Sequence, residues 1–140
     1  MNGGLITTAR LVSKLRFPLE MDFLHVSRYG KNAFGSKLEW HAKPSAQLRN
    51  RCVLIVDDIL DEGVTLREVV AYCIAQGASE VFSAVLLKKN NVLASTDISA
   101  DFVGLVVDDR YVFGSGLDFK GYLRNVLGIY AVPEEVLQND

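Results

Sequence analysis

The chain has 140 residues, nearly half of them apolar, and a formal net charge of −2. That length suits a single domain with a real core, and the charge offers no basic excess with which to hold nucleic acid. No apolar run approaches the roughly 20 residues of a membrane span. Arg10, Lys14 and Arg16 interrupt the apolar residues near the amino terminus, so a secretory signal is not expected.

In chain order, Asn2-Gly3-Gly4 precedes a helix predicted over Leu5 to Leu15, with Leu5, Ala9, Val12 and Leu15 on one stripe. Glu20 to Ser27 is a strand candidate. Tyr29 to Gln47 is rich in glycine and polar residues and reads as a long mobile loop or a hairpin, the kind of segment that often forms a lid. Val53 to Val56 is an unbroken β-branched-rich run, the mark of a parallel strand buried on both faces. Thr65 to Ala75 has apolar residues at helical spacing and stops at Gly77. Further strands are expected at Val81 to Leu87, Asp101 to Val107 and Ile129 to Val132. Strands alternating with helices indicate an α/β fold with a mainly parallel sheet. Cys52 and Cys73 lack metal spacing and read as two reduced, buried thiols of a cytoplasmic protein, and His25 and His41 show no ligand pattern.

The densest chemistry lies in VLIVDDILDEGVT, residues 53–65. Asp57 to Val64 is placed as the loop between a strand's carboxyl end and a helix, where open α/β sheets bind ligands. Gly63 permits close backbone approach, and amides 62–65 at the helix start form an anion cradle. Carboxylates beside such a cradle suit a ligand with hydroxyls and a divalent metal as well as phosphate, as in a phosphorylated sugar. An acidic, solvated turn after a core strand is the plain alternative.

Four more segments carry candidate groups. Lys88-Lys89 ends a buried strand, where a lysine could donate to a ring carbonyl or simply be solvated. Asp109-Arg110-Tyr111-Val112 offers an aromatic residue on which a flat base could stack, though partial burial explains Tyr111 equally well. Gly114-Ser115-Gly116-Leu117-Asp118 is a second glycine-bracketed turn, with Arg124 six residues on; Asp118 could hold a metal water and Arg124 a phosphate oxygen, or both could be surface charges. Asn2-Gly3-Gly4 could bind pyrophosphate through its amides.

Together, MDFLHVSRYG, VLIVDDILDEGVTL, VLLKK, DFVGLVVDDRYVFGSGLDF and YLRNV resemble the hypoxanthine-guanine phosphoribosyltransferases over nearly the whole chain, and residues 53–65 resemble the 5-phosphoribosyl-1-pyrophosphate (PRPP) motif of the type I phosphoribosyltransferases. The resemblance implies one domain over residues 1–140 with that fold and a lid loop at about 29–47. It implies that Asp57 and Asp58 hold the ribose hydroxyls and Mg²⁺, that Asp61 is the catalytic acid/base facing purine N7, and that Asp61, Glu62, Gly63, Val64 and Thr65 wrap the 5′-phosphate. Lys89 would read the purine 6-oxo group, Tyr111 stack on the ring and the Val112 backbone face the 2-position. Asp118 would lie beside the purine and contribute to a metal site. Asn2, Gly3, Arg28, Tyr29 and Arg124 would serve pyrophosphate, with Tyr29 on the closing loop.

The implied activity is transfer of 5-phosphoribosyl from PRPP to N9 of hypoxanthine or guanine by a homo-oligomer, dimer or tetramer. A non-catalytic PRPP or nucleotide sensor would keep residues 57–65 but lose Asp61, Lys89 or the lid, and a structural or regulatory subunit is the third reading. Three departures from the family pattern stand out: Arg28 and Val64 replace residues that are commonly small-hydroxyl and polar, and Glu62 adds a negative charge that must point to solvent. The family usually carries a helix and a buried strand before Asn2. On that comparison, Met1 to Gly4 is expected to be poorly anchored and this length of chain to be less stable and active than an extended form.

Overall fold

The structure, a computed structural model, describes residues 3–28, 38–90 and 98–137. Three parallel strands form its centre, in the order β3(Cys52–Leu60), β4(Glu80–Asn90), β5(Phe102–Asp108). Helix α2(Val64–Ala75) returns the chain from β3 to β4 and buries Leu66, Val69 and Cys73. Leu66 joins Leu60 and Val85 in one core cluster, to which Ile55, Val70, Ile98 and Ala100 add partial cover. A second cluster of Leu87, Val112 and Leu117 seats the carboxyl-terminal segment, where β6(Val112–Phe113) pairs antiparallel with β7(Tyr130–Ala131), ahead of the short α3(Glu134–Leu137). The parallel α/β arrangement expected from alternating elements and continuous apolar strands is what forms.

Several boundaries differ from the expectation, each for a local reason. Helix α1(Gly4–Val12) stops short of Leu15, because the Ser13 hydroxyl donates to the Arg10 carbonyl (2.9 Å) and diverts that acceptor from the helix ladder. Strand β1(His25–Arg28) begins late. Upstream of it the Asp22 carboxylate is engaged instead as a clamp, accepting from the amides of Ala46 and Ser45 at 2.6 Å each, and the Ala46 bond, then that from the Phe23 amide, holds its carboxyl below the usual range.

The segment expected as loop or hairpin is in part a hairpin. β2(Leu38–Ala42) pairs antiparallel with β1, and residues 29–37 lie outside the described residues. Residues 38–42 of the expected lid are therefore strand, and Trp40 rests on Tyr72 of α2 with ring centroids 4.7 Å apart. Within the hairpin the His25 and His41 rings lie 4.7 Å apart, and Ser27 Oγ meets His41 Nε2 at 2.6 Å. Cys52 is exposed rather than buried, while burial pushes the Cys73 thiol up.

The most consequential difference is in β3. Its ladder does not end at Val56: Asp57 pairs with Val85, Ile59 with Leu87 and Leu60 with Lys88. Asp57 and Asp58 are thus strand residues held by a sheet, and the loop shrinks to residues 61–63. Among the described residues β3 pairs with β4 alone.

Candidate active site

Asp57 and Asp58 sit side by side near the carboxyl end of β3, each carboxylate accepting from the next residue's amide at 3.0 Å. Burial, then the neighbouring Asp58 charge, pushes the Asp57 carboxyl up to about 7. Gly3 packs so closely on Asp58 that a Cβ there would collide with the carboxylate, and the buried Gly4 lies over Val56 and Asp57. Gly3 and Gly4 are therefore seated firmly, against the expectation for Met1 to Gly4; Met1 and Asn2 lie outside the described residues.

Immediately after β3 the chain turns through Asp61, Glu62 and Gly63. Gly63 takes φ 77° at the N-cap of α2, a left-handed conformation that costs other residues energy. Gly63 has no side chain with which to cap that helix start, and the first amides, which have no intrahelical acceptor, are disposed toward an anion. Glu62 is exposed, as its sign requires, and Val64 and Thr65 open the helix half-buried.

Across the strand ends, the Lys89 ammonium lies 3.4 Å from Asp61 Oδ2 and 3.0 Å from Asp109 Oδ1, with the lysine side chain only 16% exposed. Burial works to lower the Lys89 value, but the Asp109 hydrogen bond and the charges of Asp61 and Asp109 together hold it above the ordinary lysine range. Lys88 and Lys89 both fall inside β4, not beyond its end. Tyr111, 42% exposed, meets Phe119 edge-on at 5.7 Å, and Val112 is buried beneath.

The glycine-bracketed turn closes the other side. Gly116, at φ 112°, backs onto Gly3 so tightly that a Cβ would strike the Gly3 carbonyl oxygen. Arg124 donates to the Gly116 carbonyl at 2.7 Å and pairs with Asp118 at 2.6 Å, while Asp118 also accepts from the Gly121 amide at 2.8 Å. Asp118 is thus committed to Arg124 and does not join Asp57 and Asp58 in a ready-made cage; among the described residues no three potential ligands form one. Ser115 is buried, donating to the Gly128 carbonyl at 3.0 Å.

The structure thus unites Gly3 with Asp58 and Gly116, and Asp61 with Lys89. Arg28 ends β1 opposite Leu38, and Tyr29 lies outside the described residues. Asp109 was missed as a site residue. Its signal was present: an Asp108-Asp109 pair after an apolar strand repeats the pattern of Asp57-Asp58.

Two acids near a strand end, a helix start with glycine at its N-cap after a three-residue turn, and a glycine turn packed against Gly3 suit a phosphorylated-sugar ligand. In agreement, the pattern of the phosphoribosyl transferase domain family matches residues 1–120, and the chain belongs to that family. The hypoxanthine-guanine phosphoribosyltransferase of Aquifex aeolicus is 33% identical over 135 residues, covering 96% of this chain and 75% of the relative. That of Bacillus subtilis is 35% identical over 127 residues, covering 90% and 70%. The crystal structure of a hypoxanthine phosphoribosyltransferase from Staphylococcus aureus superposes with a TM-score of 0.90 at 28% identity, covering 97% of this chain and 74% of that one.

Proposed function

We propose that the protein is a purine-salvage enzyme that transfers 5-phosphoribosyl from PRPP to N9 of a 6-oxopurine, hypoxanthine or guanine, forming IMP or GMP and releasing pyrophosphate. The observation that carries this reading is the Asp61–Lys89 approach, 3.4 Å, in the turn that leads into the glycine N-cap of α2. It sets an acid/base group and a ring-carbonyl donor next to a phosphate cradle.

In this reading the amides of residues 62–65 and the Thr65 hydroxyl hold the 5′-phosphate, and Asp57 and Asp58 orient the ribose hydroxyls. A Mg²⁺ ion fits the same two acids: burial and the neighbouring Asp58 charge raise the Asp57 carboxyl to about 7, a cost that a bound cation would offset, and magnesium favours one or two carboxylates completed by substrate phosphates. When bound, it would help neutralise the leaving pyrophosphate. The Gly3 and Gly116 backbones border that end of the site, and Arg124 keeps the second loop in place. Tyr111 offers its exposed ring to the base, Lys89 donates to the 6-oxo oxygen, and Asp61 exchanges a proton at N7 as N9 becomes nucleophilic. Preorganised charge and position supply most of the acceleration.

No helix among the described residues is long and apolar enough to cross a membrane. A cytoplasmic homo-oligomer completes the proposal, supported by exposed Phe102, Leu105 and Val106 on the outer strand β5. The direct test is nucleotide formation from PRPP with hypoxanthine, guanine and xanthine, with and without Mg²⁺. Turnover with a 6-oxopurine is expected; PRPP binding without turnover would return the non-catalytic reading.

A further inference from the structure

Lys89 has two carboxylate partners on two different elements, and the functional reading uses only one of them. Asp61 follows β3, Lys89 lies in β4, and Asp109 stands one residue beyond β5. The register brings them together, since Lys89 pairs with Val107 and Asn90 with Asp108. The corner carrying Asp109 is tight, with the Arg110 amide donating to the Asp108 carbonyl at 2.7 Å. Asp109 is the nearer partner, hydrogen-bonded to Lys89 Nζ at 3.0 Å, whereas Asp61 stands at 3.4 Å.

We propose that Asp109 is a positioning residue for base recognition, holding the Lys89 ammonium off Asp61 and aimed at the purine 6-position. A lysine ammonium has three N–H donors and no acceptor, on a flexible four-carbon stem. With Asp61 as sole anchor, that stem would settle fully onto the group that must exchange a proton with the base. Asp109 pulls it the other way. Two N–H groups are then directed to carboxylates, and the third remains for an acceptor. A 6-oxo oxygen accepts that bond, while a 6-amino group presents its own N–H and is repelled, so Asp109 sharpens selection of 6-oxo over 6-aminopurines. Lys89 is 16% exposed and Asp109 52%, so the lysine end of the pair is withdrawn from solvent while the carboxylate end is screened by it.

This role rests on the transferase reading, and the experiment separates the two. Steady-state constants for hypoxanthine, guanine, adenine and PRPP are measured for the wild type and for Asp109→Ala, Asp109→Asn and Asp109→Glu. Asp109→Ala is expected to raise KM for both 6-oxopurines roughly three- to five-fold, on the scale of a half-exposed ion pair. The PRPP constant should stay within about two-fold, and the preference over adenine should narrow. Asp109→Asn, which keeps an acceptor oxygen, should fall between, and Asp109→Glu should recover most of the loss. Base and PRPP constants rising together with a lowered melting temperature would make Asp109 a structural residue and overturn the role, as would unchanged kinetics in Asp109→Ala. A wild type that forms no nucleotide from any 6-oxopurine overturns the transferase reading and this role with it.

Discussion

Arg124 and Asp118 face each other at 2.6 Å, and the same guanidinium supports the Gly116 carbonyl at 2.7 Å. One side chain therefore ties an acid to the glycine turn that touches Gly3. Arg124→Ala should release both, lowering stability by on the order of 1–3 kcal/mol and kcat/KM by roughly 10- to 100-fold. Arg124→Lys should recover little, because a point charge does not reproduce the planar fork. Thermal denaturation and kinetics on the two variants check this.

Asp61→Asn keeps the shape of the turn but removes the group placed to exchange a proton. Turnover should fall by about two orders of magnitude or more, with PRPP affinity largely kept, as read by calorimetry and single-turnover kinetics. Unchanged turnover would take Asp61 out of the chemistry.

Lys89→Ala should weaken 6-oxopurine use roughly 10- to 150-fold, far more than it weakens PRPP binding. It also leaves Asp61 and Asp109 near each other without their shared cation. An equal loss of base and PRPP affinity would mark Lys89 as a general electrostatic contributor.

Asp57 makes the ligand-free protein sensitive to pH. Its folded carboxyl is raised to about 7 from an ordinary 3.8, so between those values the folded state holds a proton that the unfolded chain has given up. Stability should accordingly fall as pH rises from about 4 to 7 and level off above, by at most a few kcal/mol. Asp57→Asn should flatten that slope and raise the melting temperature at pH 8. Denaturation from pH 5 to 8 without Mg²⁺ or PRPP measures both effects.

How much of this was legible in the sequence varied with the distance over which each feature is decided. Local grammar sufficed for α2, whose apolar spacing and flanking glycines at 63 and 77 mark both ends. It sufficed for the three parallel strands as well. It failed at Asp57 and Asp58, because two acids read as loop whereas an eleven-residue partner strand extends the ladder through them. At Leu38–Ala42 it left loop and hairpin both open, because the strand is decided by β1 and by Trp40 resting on Tyr72, 32 positions away in sequence. The Asp118–Arg124 pair and the Gly3–Gly116 contact depend on a turn folding back, and spacing alone does not encode which neighbour a carboxylate will choose.

Trp40 is the chain's single tryptophan. Its indole lies against Tyr72, with the Lys43 ammonium 6.0 Å from one ring and 5.7 Å from the other. The β1–β2 hairpin therefore carries a built-in optical reporter at its seam with α2. Any ligand that shifts the hairpin relative to that helix should alter the emission of one fluorophore, in unlabelled protein, on the timescale of a stopped-flow mix.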